Sequence, residues 1–243
     1  MSLLVTGAEG LLGSALVERG ARGVGRAELD VTDFDAAGRW LDREGVRQVI
    51  FCAAMTDVDR CATDPAAYRV NVEAPAWFAR RVETWLVSTN YVFDGPGPHG
   101  PLSPRNPCNA YGHQKAEAED RVLAAGGHVV RTGWLFGPGG RNFGSRIVES
   151  LRNGPVRALS DWPIQPTWAP DLANHLLTLP RGVTHAIGSE ETTWAGFAMR
   201  VAQRFGGQVQ PVQELNLGPR PSDARLTPAT LPGYTQRIQE LGP

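Results

Sequence analysis

The chain has 243 residues, 42% hydrophobic and 20% charged, and its 24 basic and 25 acidic side chains leave a net charge of −1. This composition excludes a disordered or collagen-like chain and fits one large domain, or one main domain with a smaller appendage. With no basic tract, neither nucleic acid nor an anionic membrane surface is expected as a partner.

The start, Met1-Ser2-Leu3-Leu4-Val5-Thr6-Gly7, has no basic stretch followed by a long apolar run, so no secretory signal is read. No apolar run approaches the roughly 20 residues that span a bilayer. Residues 2–6 predict a short buried strand, and Gly7 to Gly13 a glycine-punctuated turn. Leu11, Leu12, Ala15 and Leu16 recur at helical spacing and predict a helix to about Arg19. Residues 46–53, β-branched and apolar, predict a central parallel strand. Residues 66–83 read as a helix that Pro75 must kink or interrupt. A strand over 85–89, a helix over 110–123 and a strand over 128–132 follow. Strands alternating with helices indicate an α/β fold, a doubly wound parallel sheet of Rossmann type. Residues 94–109 hold too many Gly and Pro for regular structure and predict an exposed loop, and the Pro-rich tail from about 207 breaks the alternation. The expected organisation is a dinucleotide-binding Rossmann domain over 1–137 and 164–187, with a smaller C-terminal substrate-binding lobe over 138–163 and 188–243.

Cys52, Cys61 and Cys108 lack paired spacing, which argues against a disulfide framework and for a reducing, cytoplasmic setting. The five histidines (His99, His113, His128, His175, His185) form no short ligand pair, so no metal site is expected. No feature of the sequence attaches to a dimer surface, which leaves the oligomeric state open.

The first chemical motif is Gly7-Ala8-Glu9-Gly10-Leu11-Leu12-Gly13, directly after a strand and opening a helix. Glycines there permit a tight turn and close backbone approach to a pyrophosphate, while the helix start offers unpaired N–H groups. Gly7, Gly10, Leu11 and Leu12 are therefore cofactor-binding candidates; a Walker P-loop is excluded, since no lysine lies in the turn. The GxxGxxG spacing resembles the extended short-chain dehydrogenase/reductase superfamily, in which the second strand commonly ends in an acid that holds the ribose hydroxyls. Arg26 stands near that place and is either a contact to the 2′-phosphate of NADP or a solvated surface residue. Asp30-Val31 resembles the superfamily's adenine-edge contact.

The second motif is Tyr111-Gly112-His113-Gln114-Lys115. Of the 24 cationic side chains 23 are arginine, and the single lysine stands four residues after one of only four tyrosines. On a helix these share a face. A neighbouring ammonium is expected to draw the phenol, ordinarily near pKa 10, down toward the working pH. A compact ammonium also fits beside a nicotinamide ribose where a guanidinium fork would crowd. Ser88 to Gly95 ends a predicted strand on the edge where open parallel sheets bind ligands, and Thr89 there completes a hydroxyl, Tyr, Lys triad.

These motifs, with others along the chain, resemble the dTDP-4-dehydrorhamnose reductase family. The further matches include Ala53-Ala54-Met55-Thr56-Asp57-Val58-Asp59, Val70-Asn71, Arg131-Thr132-Gly133-Trp134, Pro166-Thr167, Asp171-Leu172-Ala173 and Arg220-Pro221-Ser222. The resemblance implies an NADPH-dependent reductase of a 4-keto nucleotide sugar, most directly dTDP-4-dehydrorhamnose to dTDP-L-rhamnose, with NAD as a possible cofactor. It implies that Thr89 polarises the ketone, that Tyr111 gives the proton, and that Lys115 tunes Tyr111 and holds the ribose. It further implies that Ala53, Ala54, Thr56 and Tyr91 line the cofactor, and that Asn90, Trp134 and Arg220 face the sugar nucleotide. The chain departs from the family pattern at Asn90, where an Asp is usual, at Gly133 and Ala224, where serines are usual, and at Asp161-Trp162-Pro163-Ile164. Two other readings are an epimerase or dehydratase of the same superfamily, and a non-catalytic regulatory subunit that keeps the fold and nucleotide.

Overall fold

The computed structural model describes residues 2–140 and 142–242. Met1, Arg141 and Pro243, which fall within the expected regions 1–137, 138–163 and 188–243, lie outside the described residues. In chain order the first half runs β1 (Ser2–Thr6), α1 (Leu11–Val17), β2 (Arg22–Val24), α2 (Phe34–Glu44), β3 (Val46–Phe51), α3 (Pro65–Tyr68), α4 (Ala74–Ala79), β4 (Glu83–Thr89), α5 (Ala110–Ala124) and β5 (His128–Thr132). The second half adds β6 (Leu135–Phe136), α6 (Phe143–Asn153), β7 (Val156–Leu159), β8 (Pro163–Ile164), β9 (Thr167–Trp168), α7 (Ala169–Leu176), β10 (Val183–His185), β11 (Thr192–Thr193), α8 (Trp194–Phe205), β12 (Val209–Val212) and α9 (Tyr234–Arg237).

Six strands form one parallel sheet in the order β10-β5-β4-β3-β1-β2. The chain moves outward from β1 to β2 and then returns to the other side of β1 at β3, so the strand order reverses there. At such a point the strand ends part and leave a crevice for a ligand. Strand β5 is wholly buried and β4 nearly so, while β3 is buried along its second half, as expected of strands covered on both faces. On one face α2, α4 and α5 bury Trp40, Leu41, Phe78 and Val122 against Leu4, Phe51 and Leu86; on the other, α1 and α7 bury Leu16, Leu172 and Leu176 against Val5, Ile50 and Trp85.

The helix expected over 66–83 is divided. Pro75, in the first turn of α4, has no N–H to return to the preceding turn, and Arg69–Glu73 widens into a π turn between α3 and α4. The turn places Asn71, 1% exposed, so that its amide accepts from Met55 N at 2.9 Å and donates to Met55 O at 3.0 Å, fastening the loop after β3. Helix α1 ends at Val17, two residues short of the expected end.

The segment 94–109 is not a simply exposed loop. His99 is buried, stacks on Phe93 at 4.6 Å and pairs by main chain with Arg225 and Thr227, while Arg105 reaches Ala116 O and Glu119 on α5. Gly and Pro prevented a strand or helix, but side chains still pin the segment down.

A second apolar core gathers Ile147, Val148, Leu151, Phe197, Val201, Tyr234 and Ile238 around β7 and β12. Phe136, Ile164 and Trp168, which the sequence ranges put with the dinucleotide-binding part, pack into this core.

Candidate active site

Gly7 follows β1 with φ +68°, and a Cβ there would stand 2.9 Å from Ala53 N across the crevice. A Cβ on Gly13 would stand 2.1 Å from Gly7 O, so α1 can start this close to the turn only with glycine at that place. Gly10 is the N-cap of α1 and offers no side chain to the first turn, whose N–H groups have no intrahelical acceptor.

The turn forms the junction of two cavities in a continuous trough. The first, about 470 Å³, is lined by Gly7, Gly10, Cys52, Ala53 and Ala54, and by Arg26, Asp30 and Val31 near the end of β2. The second, also about 470 Å³, shares Gly7, Gly10, Cys52 and Ala54 with it and adds Leu11, Leu12, Thr89, Asn90, Tyr111 and Lys115. A third, about 730 Å³, shares Thr56, Tyr91, Trp134 and Arg146 with the second and opens toward Trp162, Trp194 and Arg220. Every candidate position named from the sequence thus lies on one trough crossing the carboxyl edge of the sheet.

Arg26 is strongly exposed and pairs with Asp30 at 3.5 Å. The Asp30 carboxylate accepts from Thr32 N at 2.9 Å and Thr32 Oγ1 at 2.6 Å, and these bonds hold it below the usual carboxylate range. Arg60 and Arg69, which sequence reasoning did not single out, also line this cavity. They come from the third crossover, far from Arg26 in sequence, so no local motif pointed to them.

Asn109 caps α5, its side chain accepting from Gly112 N at 2.8 Å. Gly112 lets the helix press against Tyr91 O, which a Cβ would meet at 2.2 Å. The helix thereby presents Tyr111 and Lys115 to the cavity, with the Tyr91 ring edge-on to that of Tyr111 at 6.1 Å. The electrostatics differ from the expectation. Burial pushes the Tyr111 phenol up to about 12, opposed by a hydrogen bond with the Thr89 hydroxyl. Lys115, 2% exposed, donates from Nζ to Val87 O at 2.8 Å instead of turning to the phenol, and burial lowers it to about 8 while Glu119 pulls it back up. The ammonium is held by a strand carbonyl, and desolvation dominates both groups.

Glu119, one turn beyond Lys115, is fully buried, and sequence reasoning missed it despite its i,i+4 spacing. Its carboxylate takes a fork of hydrogen bonds from Arg131, another from Arg105 at 3.0 Å, and one from Ser88 Oγ at 2.5 Å. A buried carboxylate needs such company. The cluster locks α5 to the ends of β4 and β5 beside the triad.

Three of the sequence departures, Asn90, Gly133 and Ala224, prove to be neighbours. Asn90, 4% exposed, donates from Nδ2 to Ala224 O at 3.0 Å. A Cβ on Gly133 would stand 2.4 Å from Asn90 Oδ1. The amide fills the space that a side chain at 133 would need and ties the late segment to the sheet edge. Arg220 is likewise engaged, with two 2.9 Å bonds to Asp59. Trp134 adopts φ +50°, a strained conformation for a bulky residue, held by edge-on contacts with Phe143 at 4.8 Å and Trp162 at 5.3 Å. Trp162 Nε1 donates to Pro221 O at 2.8 Å.

Among the described residues, no group of three or more His, Cys, Asp or Glu is placed to hold a metal ion, and no helix is long and apolar enough to cross a membrane.

Residues 1–237 match the model of the RmlD substrate binding domain family. A dTDP-4-dehydrorhamnose reductase of Streptomyces griseus is 36% identical, the alignment covering 96% of this chain and 84% of the relative. A dTDP-4-keto-6-deoxy-D-glucose reductase of Streptomyces niveus is 35% identical over 96% of this chain and 86% of its own. The crystal structure of a dTDP-4-dehydrorhamnose reductase from Clostridium acetobutylicum superposes with a TM-score of 0.87 at 27% identity, covering 99% of this chain and 93% of that one. With its family model matched over almost its whole length and relatives this similar, the chain belongs to the RmlD substrate binding domain family.

Proposed function

We propose that this chain is a cytoplasmic NADPH-dependent reductase of a 4-keto nucleotide sugar, converting dTDP-4-dehydrorhamnose to dTDP-L-rhamnose. The observation that carries the reading is the convergence of Thr89, Tyr111 and Lys115 on one cavity continuous with the glycine turn, in a chain 36% identical to a reductase of that name. The turn is a cradle that extra Cβ atoms would close, which fits a pyrophosphate drawn against the main chain. When bound, the dinucleotide supplies the hydride.

The remaining work falls to the chain. The Thr89 hydroxyl holds the ketone oxygen and aligns it with the phenol. Reduction needs a proton donor, and burial keeps Tyr111 protonated across the neutral range, ready to give its proton to the forming alkoxide. The Lys115 ammonium binds the nicotinamide ribose. Ala53, Ala54, Thr56 and Tyr91 shape the cofactor wall; Asn90, Trp134 and Arg220 belong to the sugar-nucleotide side, where the second core forms the substrate lobe. Relatives of 35–36% identity carry the names of reductases of different 4-keto sugars, so the sugar itself is a point for the test.

The test follows NADPH and NADH oxidation with a panel of dTDP-4-keto-6-deoxy sugars. Turnover is expected, fastest with the 4-dehydrorhamnose compound, and Tyr111→Phe should lose roughly 10²–10⁴-fold in rate while still binding NADPH. Turnover unchanged in that variant would overturn the mechanism. Tight NADPH binding without reduction of any sugar in the panel would overturn the activity in favour of a regulatory subunit.

A further inference from the structure

Thr132 closes β5 and is 3% exposed, yet its Oγ1 has no hydrogen-bond partner among the described residues. Leaving a buried hydroxyl unpaired is unfavourable, and a valine of nearly the same shape would avoid it. Thr132 is one of the residues around the central cavity, together with Thr89, Tyr111 and Lys115. Thr89 is its register partner on β4, so the two side chains leave the same face of the sheet on neighbouring strands.

Its place across the sheet indicates what meets it. From one edge the strands run β2, β1, β3, β4, β5. The cavity with Asp30 and Val31 lies by β2, and Gly7 and Gly10 join it to the central cavity. Thr89 follows on β4, and Thr132 stands one strand further on. The sugar-nucleotide cavity takes Tyr91, Trp134 and Arg146 from the central cavity but not Thr132. A dinucleotide lying along the trough with its adenosine by β2 therefore carries its nicotinamide over β4 and β5. The polar group on that ring is a carboxamide, which both donates and accepts; a threonine hydroxyl does the same.

We propose that the Thr132 hydroxyl is a cofactor contact, pairing with the nicotinamide carboxamide and so fixing the rotation of the ring relative to Thr89 and Tyr111. The inference rests on the reading of the trough as an NADP(H) site. No bond is made or broken at Thr132; its role is orientation.

The experiment compares wild-type protein with Thr132→Val, Thr132→Ala and Thr132→Ser. Each is titrated with NADPH and with 2′-phospho-ADP-ribose, which lacks the nicotinamide, and each is melted without ligand. Thr132→Val should bind NADPH roughly 10-fold more weakly, Thr132→Ser within about 3-fold of wild type, and all should bind 2′-phospho-ADP-ribose equally. The ligand-free Tm of Thr132→Val should equal or exceed that of wild type, because an unpaired buried hydroxyl has been removed; Thr132→Ala repeats the affinity test where valine does not fit. Wild-type NADPH affinity in both the Val and Ala variants, or an equal loss with both ligands, would overturn this inference alone. Failure of the wild type to bind either ligand would overturn the reading of the site and this inference with it.

Discussion

The two ends of the trough are built from different material. At the glycine turn the wall is main chain: Gly7 lies against the backbone of Ala53 and Gly13 against that of Gly7, and in the adjoining cavity Asp30 is tied to Thr32 two residues on. Toward the second core the walls are side chains from distant segments, Trp134, Trp162, Trp194 and Arg220, joined by Trp162 to Pro221 O and Arg220 to Asp59. A main-chain wall admits no extra atom yet accepts many side chains around it. A side-chain wall changes with a single substitution. The end at the glycine turn is therefore fixed by the fold, and the end at the second core by a few residues.

The sharpest way to break this contrast is Gly13→Ala. Its methyl would stand 2.1 Å from Gly7 O, so a loss of about 3 kcal/mol or more is expected, with NADPH binding abolished. A stable variant in denaturant titration that still binds NADPH would show that the main-chain wall yields. Gly133→Ser should cost about 1–3 kcal/mol, because its Cβ meets Asn90 Oδ1 at 2.4 Å. Adding Asn90→Ala should recover part of that loss, and strictly additive values in the double-mutant cycle would refute the coupling.

Lys115 gives the contrast a pH signature. Its lowered value means that NADPH affinity should fall as pH rises through about 8, by at most about tenfold per unit, and Lys115→Met should remove that limb. Global stability should move the other way. The unfolded chain keeps this proton up to the ordinary lysine value of 10.5 while the folded chain releases it near 8, so the contribution of this group rises with pH between them. An alkaline limb unchanged in Lys115→Met would assign it to another group. The smallest effect is expected toward the second core, where Asp59→Asn loosens an exposed ion pair with Arg220. The KM for the nucleotide sugar should rise a few-fold with NADPH affinity unchanged; a parallel change in both would mean that the two ends are not separable.

What the sequence makes legible follows the range of the forces involved. The glycine turn, the Tyr111–Lys115 spacing and the apolar strands are local patterns, governed by backbone sterics and periodicity, and they appear in the structure where they were read. Lys115 shows where locality stops. Its place on the helix face was readable, but its bond to Val87 O depends on how α5 docks on β4, a contact between segments 28 residues apart. Glu119 was visible as the next turn of that helix, while its partners Arg105, Arg131 and Ser88 come from three other segments.

By itself the sequence determined the parallel α/β fold, the crevice at the end of β1 and the residue types of the triad, because each depends on contacts along the chain or on the covering of both sheet faces. Only the tertiary structure decided that Asn90, Gly133 and Ala224 form one contact, that Arg220 is bound to Asp59, and that the Thr132 hydroxyl is buried with no partner among the described residues. These outcomes turn on ångström-scale packing between segments up to 161 residues apart, where close-packed side chains exclude one another and no period in the sequence records the result.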